Sequence, residues 1–351
     1  MRDGFIKVAA GTPKIRVADC DYNAGQIIAL MKEAAAQGVK VLALPELCVT
    51  GYTCGDLFLQ PTLLDGAERA LERILEETAE LDLLTALGLP VRNTNQKLYN
   101  CAAVMHKGEL LGLVPKSSIP NYGEFYEARW FASGRNCDEE DAVWLCGEWV
   151  DMSPRRLFNC YTLPELTIGI EICEDLWAAE PPSGALARVG ATLMLNLSAS
   201  DEIAGKADYR RALVTGQSAR CVCGYVYADA GEGESSTDLV FSGHNMIAEN
   251  GTLLAEKRFS TGLTISEIDV GRLAHERRRM NTFAAPSDGV VTLQFNLGLT
   301  DTTLTRPISP TPFIPSDESR RGERCEEILT IAALASKSGW STPTPPAPWW
   351  G

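Results

Sequence analysis

With 351 residues and 45% hydrophobic content, the chain is long enough for one large α/β domain or two ordinary ones, each with a full core. Its 32 Lys and Arg stand against 46 Asp and Glu, a net charge of −14, and a field of that sign repels phosphate backbones and anionic lipid heads, which excludes nucleic acid and membrane surfaces as partners. No positively charged start leads into an apolar stretch with a small-residue cleavage site, and no apolar run approaches about 18 residues, so a cytosolic globular protein is expected.

The segment FIKVAAGTP reads as a first strand. From about Asn23 the apolar residues Ile27, Ile28, Met31 and Ala35 recur at helical spacing, and Gly38 ends that helix. VKVLALPE is a continuous apolar strand of the kind buried in a sheet covered on both faces; Pro45 stops it and leaves Glu46 at its C-terminal edge. A helix from about Leu63 to Leu81 and a strand LLTALGLPV follow. Two hairpins are expected, NCAAVMHKGELLGLV turning at His106 and GHNMIAENGTLLAE turning at Asn250-Gly251, a dipeptide that hairpins favour. LTIGIEI alternates apolar residues up to Cys173, and Glu174 and Asp175 behind it suit the first turn of a helix. ATLMLNLSAS is another buried strand, opening into a polar loop at Ser200, and KADYRRALVTGQSARCVCG reads as a helix leading to the strand YVYADA. Strands and helices alternate, an α/β pattern in which Glu46, Cys173 and Ser200 each follow a strand, where such folds place chemistry. After about Arg306 a Pro-rich linker and one amphipathic helix without a core of its own are expected, and the end STPTPPAPWWG reads as disordered or loosely docked.

Eleven cysteines, an odd number without paired CxxC spacings, read mostly as small core hydrophobes in a chain too large to need disulfide staples. Cys221 and Cys223 form a CxC that offers two ligands with no histidine at useful spacing, so no metal site is expected. Cys173 differs in context. A thiol attacks only as thiolate and needs a base, a cation or a helix N-terminus beside it. None of the three histidines is placed for this: His106 sits at a hairpin turn, His244 begins a strand after a glycine, and His275 lies in the basic run HERRR. Glu46, with Lys116 behind the strand that Pro115 ends, completes a Glu-Lys-Cys amidohydrolase set. Taken singly, Glu46 would be a loop residue or helix cap, Lys116 a surface lysine, and Ser200 and Lys206 a cap and a solvated charge. GEGESS reads as a flexible loop at a pocket mouth or partner surface, since its two glutamates would repel phosphate. No GxxxxGK[ST], GxGxxG or SGGxDS run is present.

Over about its first 300 residues the chain resembles the nitrilase-type glutaminase domain of glutamine-dependent NAD synthetase. The resemblance rests on LPELCVTGYTCGDLF, KSSIPNYGEFYEARWF, GIEICEDLW, LNLSAS and GYVYADAGEGESSTDLVFSG in that order. It implies a nitrilase-like αββα four-layer sandwich over 1–300, with a short helical and Pro-rich tail over 301–351. It implies Glu46 as general base, Lys116 as the cationic triad member, Cys173 as nucleophile, and Glu127, with Glu124 as the alternative, as a second glutamate. Tyr122, Ser200 and Lys206 match the positions that hold substrate glutamine, with Tyr52 and Phe125 as pocket walls and Glu174 beside them. The implied partners are L-glutamine, a synthetase domain or subunit, and further copies of the chain in a homo-oligomer. No cofactor is implied for the glutaminase step; ATP and Mg belong to the synthetase domain. GERCEEILTIAALASKSGW resembles the beginning of that domain, and the abrupt Pro- and Trp-rich end is what a truncated or frame-shifted reading frame would leave. The chain alone is not expected to make NAD. Two other readings stay open: a nitrilase-superfamily amidase acting on a carbamoyl compound or small amide, and a catalytically idle interaction subunit.

Overall fold

A computed structural model of the chain describes residues 1–137, 142–236, 238–283, 289–311, 313–315 and 317–340; the end 341–351 lies outside the described residues. Met1–Thr305 forms one compact unit and Arg306–Gly351 a second.

In chain order the first unit opens with β1 (Phe5–Thr12), α1 (Cys20–Ala36), β2 (Val41–Ala43), α2 (Pro61–Glu77), β3 (Leu84–Arg92), β4 (Leu98–His106) and β5 (Glu109–Pro115). A small hairpin follows, β6 (Ala142–Leu145) and β7 (Glu148–Asp151), then β8 (Arg156–Cys160), β9 (Thr167–Ile172), α3 (Glu174–Trp177) and α4 (Pro182–Arg188). The unit is completed by β10 (Leu193–Ser198), α5 (Lys206–Cys221), β11 (Gly224–Asp229), β12 (Asn245–Glu249), β13 (Thr252–Lys257), β14 (Gly262–Asp269), α6 (Val270–Arg278) and β15 (Val291–Phe295). The second unit contributes α7 (Ser319–Trp340), along which Ile328, Leu329, Ile331 and Leu334 are exposed.

The strands make two large sheets, ordered β14-β1-β2-β3-β4-β5 and β13-β12-β11-β10-β9-β8-β15. The centre of each is parallel: β1, β2 and β3 in one, β9, β10 and β11 in the other. Three apolar clusters explain how they stack. The first places Ile27, Met31, Leu71 and Ile74 of α1 and α2 on Leu42, Leu87 and Leu89 of the first sheet. A second joins Val8, Val41, Ala86 and Val104 to Ile170, Leu195 and Val226, filling the space between the sheets. The third packs Leu186 and Val214 of α4 and α5 on Met194, Tyr225 and Met246. Helix, sheet, sheet and helix follow one another, so both inner strand faces are dry and the central strands carry unbroken apolar runs.

Element boundaries differ from the sequence reading where polar side chains decide them. Helix α1 starts at Cys20 because Asp19 caps it, accepting the Tyr22 N–H at 3.1 Å. Asn23 has another use: buried, it accepts the Arg16 N–H at 2.7 Å and donates to the carbonyls of Arg16 and Val49. Helix α2 starts earlier, with Pro61 in its first turn, and ends at Glu77. Among the described residues no helix is long and apolar enough to cross a membrane.

Candidate active site

The parallel strands deliver their C-terminal ends to one place. Glu46 leaves β2 directly after Pro45. Lys116 leaves β5 directly after Pro115, and its N–H extends the ladder by donating to the Asn100 carbonyl at 2.8 Å. The Lys116 ammonium then lies 2.6 Å from Glu46 Oε1 and 2.6 Å from Glu127 Oε1, with all three side chains buried. Glu127 opens a single turn of 3-10 helix, Glu127–Arg129, and also accepts the Tyr52 hydroxyl at 2.8 Å. Glu46 is held on both oxygens: Asn100 Nδ2 donates to Oε1 at 2.6 Å and the Ala199 N–H to Oε2 at 3.0 Å. Glu124 is half-buried in the preceding loop, and it is Glu127 that reaches Lys116.

Burial alone would pull the Lys116 ammonium down; the charges of Glu127 and Glu46 more than offset this and hold it well above the ordinary lysine range. Glu127 is raised, first by burial and then by the Glu46 charge, with Lys116 opposing. One ammonium therefore serves two carboxylates in a dry site.

Cys173 follows β9 at φ 44° and ψ −99°, a conformation that side chains beyond Cβ disfavour and that projects the residue from a sharp strand-to-helix turn. The turn is over-determined. The Cys173 N–H donates to the Leu197 carbonyl at 3.0 Å and to Asn196 Oδ1 at 3.2 Å. Buried Asp175 accepts the N–H groups of Ile172 at 3.0 Å, Ser117 at 3.3 Å and Ser118 at 2.7 Å, tying the cysteine turn to the lysine turn. Burial, then the Glu46 charge, push the Cys173 thiol well above its ordinary range, while Lys116 pulls it down. The thiol therefore lies within the field of both Glu46 and Lys116.

The remaining sequence-predicted residues fall into two sets. Tyr52 and Ser200 are buried: Tyr52 holds Glu127, and Ser200 Oγ accepts from Arg210 at 3.0 Å while its N–H donates to Asp229 at 2.9 Å. Tyr122, Phe125, Glu174 and Lys206 form a more open group, in which the Tyr122 hydroxyl donates to Glu174 at 2.7 Å. The Lys206 ammonium pairs with Asp201 and lies 5.8 Å from the Phe125 ring and 5.2 Å from that of Trp177. The GEGESS loop is more fixed than its composition suggests. Glu234 is turned inward and accepts the N–H groups of Tyr52 at 2.8 Å and Thr53 at 3.1 Å, while Glu232 pairs with Lys14. Buried His244 sits between Arg210 and Glu256, outside the Glu46–Lys116 group. No cluster of three or more His, Cys, Asp or Glu able to hold a metal is present among the described residues.

Asn100 and Asn196 are absent from the sequence reading, and Asp175 enters it only as an acidic residue of a helix start, although a polar residue inside a buried apolar run such as LMLNLS is itself a sign, because it must find a partner.

Residues 7–278 match the profile of the carbon-nitrogen hydrolases. The chain belongs to that family. The glutamine-dependent NAD(+) synthetase of Mycobacterium tuberculosis is 38% identical to this hydrolase over 340 residues, covering 93% of the chain and 50% of that protein. The crystal structure of a glutamine-dependent NAD(+) synthetase from Cytophaga hutchinsonii is similar with a TM-score of 0.64 at 31% identity, covering 75% of this chain and 42% of that one. An amidase from Nesterenkonia sp., 20% identical with a TM-score of 0.59, shares the fold over 80% of this hydrolase and 98% of its own length. The four layers are those of the nitrilase-like sandwich. The hydrolase spans about half the length of the curated relatives it matches.

Proposed function

We propose that this hydrolase cleaves the side-chain amide of L-glutamine to glutamate and ammonia through a thioester on Cys173. In a complete enzyme the ammonia would go to a synthetase domain or subunit that converts deamido-NAD(+) to NAD(+), as the names of the relatives suggest. The observation that carries the reading is the Lys116 ammonium 2.6 Å from two buried carboxylates, beside a thiol on a strained turn.

Amide hydrolysis needs a nucleophile, a stabilised oxyanion and a proton for departing ammonia. Glu46 takes the Cys173 proton as the sulfur attacks the glutamine Cδ. The oxyanion that forms is met by Lys116 and by the Glu174 N–H at the start of α3, an amide the helix itself does not use. Glu46 returns the proton to the leaving nitrogen, the C–N bond breaks, and ammonia departs. Glu46 then takes a proton from water as the water oxygen attacks the thioester carbon, the C–S bond breaks, and Glu46 returns the proton to the departing sulfur, which frees glutamate and restores the thiol. Glu127 keeps Lys116 charged and in place throughout. Every step uses groups of this chain, so none draws on a cofactor. At the mouth, Lys206 and Glu174 complement the α-carboxylate and α-ammonium of an amino acid, with Tyr122 and Ser200 as hydrogen-bonding partners and Tyr52 and Phe125 as walls.

The test is release of ammonia and glutamate from L-glutamine, with asparagine as control. Cys173→Ala should abolish turnover, and Lys116→Met or Glu46→Gln should lower kcat by roughly 10² to 10⁴. Turnover of carbamoyl compounds or small amides in place of glutamine would move the assignment to that branch of the family.

A further inference from the structure

The geometry points to Asn100 as a positioning residue that holds the Glu46–Lys116–Glu127 group in its working charge state, an inference that rests on the glutaminase reading above. Asn100 lies in β4 and is fully buried. Its Nδ2 donates to Glu46 Oε1 at 2.6 Å and approaches Glu127 Oε2 at 3.5 Å, while its carbonyl accepts the Lys116 N–H at 2.8 Å. One residue thus touches three members of the group.

The need for it follows from charge. Two buried carboxyl groups share a single ammonium, and when both are ionised they leave one negative charge in excess where water cannot screen it. Lys116 Nζ, the Ala199 N–H and Asn100 Nδ2 are the donors the structure places on these oxygens to spread that charge, alongside the Tyr52 hydroxyl on Glu127. Asn100 is the donor that faces both carboxylates without adding charge, so Glu46 keeps its capacity to take the Cys173 proton.

The arrangement has a cost that marks it as functional. Asn100 Oδ1 is buried with no hydrogen-bond partner among the described residues, and an unmade acceptor in a dry site is unfavourable. Turning the amide over would satisfy nothing, because it would set that oxygen against two carboxylates. An apolar residue, like the buried Cys101, Ala102 and Ala103 that follow in β4, would remove the orphaned acceptor. The donor is therefore what the position requires.

The experiment compares wild type with Asn100→Ala and Asn100→Ser, whose hydroxyl is too short to span the same gap. Two profiles are recorded against pH: the rate of Cys173 alkylation by iodoacetamide, located by peptide mass spectrometry, and kcat for glutamine. Loss of the donor makes the site less tolerant of negative charge, so the acid limb of both profiles should move to higher pH. The expected shift is about one to two units, the equivalent of one hydrogen bond to a charged group, with KM little changed. Unmoved profiles in a folded variant would overturn the inference, since a packing role alone would change unfolding temperature and leave the pH dependence alone. Absence of glutamine turnover in wild type would defeat the glutaminase reading instead, and the alkylation profile would still decide Asn100.

Discussion

Gly88, in the middle of β3, shows how a residue without a side chain can control the chemistry. A Cβ built there would lie 2.2 Å from the Leu47 nitrogen, 2.6 Å from the Pro45 oxygen and 2.7 Å from the Glu46 carbonyl carbon. All three are backbone atoms of the turn that carries the proposed base, so they cannot swing aside as a flexible side chain would. Gly88→Ala must displace Glu46 relative to Lys116 and Cys173. Because a misplacement of about 1 Å can cost 10²-fold in rate, we expect at least that loss in kcat, read in the ammonia assay, together with lower thermal stability. Wild-type turnover in Gly88→Ala would mean that the Glu46 turn is not fixed by β3. The contrast with the polar residues explains what was legible at this scale. Glu46, Lys116 and Cys173 stand out because each is a reactive type placed immediately after a buried strand. Gly88 and Asn100 do not, because the role of Gly88 comes from the Glu46 turn about 40 positions away and that of Asn100 from Glu46 and Glu127, 54 and 27 positions away, which no local pattern encodes.

At the scale of elements, the Cys173 turn is connected through side chains to the helix layer outside the second sheet. The Cys173 N–H donates to Asn196 on β10, Asn196 Nδ2 donates to the Tyr225 hydroxyl on β11 at 3.1 Å, and that hydroxyl donates to Glu171 on β9. Glu171 Oε2 then accepts the Ser183 N–H of α4 at 2.9 Å. Three adjacent parallel strands and one helix are thus joined by a buried polar chain. Burial raises the Glu171 carboxyl to about 7, with the Tyr225 and Ser183 hydrogen bonds opposing. A folded-state value above the ordinary 4.5 means the folded protein retains a proton that the unfolded chain has lost, so this stability is complete below about pH 4.5 and disappears as pH rises through 7. The gap corresponds to about 3 kcal/mol. Denaturant unfolding at pH 5 and pH 8 should show wild type losing roughly that much more stability than Glu171→Gln. Parallel losses would show that Glu171 ionises equally in both states. The strands themselves were legible from apolar runs and Pro stops. This cross-strand chain was not: the alternation in LTIGIEI is equally compatible with a solvated polar face, and Glu171 becomes an interior residue because Tyr225, 54 positions on, meets it.

For the whole molecule the question is which residues make up the folding unit. All three apolar clusters lie within the first unit, the last of their buried members being Leu297, so among the described residues none beyond that point is a buried member of a core. Residues 300–305 belong to the unit for a polar reason. The Met1 ammonium donates to the Thr300 carbonyl at 2.8 Å and to the Thr302 hydroxyl, joining the two ends of the unit. Thr305 donates its N–H and hydroxyl to Glu267 at 3.0 and 2.9 Å, and Glu267 is a fully buried carboxylate that also has the Lys7 ammonium at 3.6 Å. Composition placed the change of character near Arg306, whereas these anchors are short polar residues in an otherwise featureless segment and carry no periodic pattern. A chain ending at Thr305 should therefore unfold at the same temperature as the full 351 residues. A chain ending at Leu299 strips donors from a buried carboxylate and acceptors from the N-terminal ammonium, and it should unfold several degrees lower, since each kcal/mol lost moves the midpoint by about 2 to 4 °C in a domain of roughly this size. Equal unfolding temperatures for the two shortened chains would show that the Thr305–Glu267 clasp contributes nothing to stability. A lower temperature for the chain ending at Thr305 would show that 306–351 stabilises the first unit through contacts other than its cores.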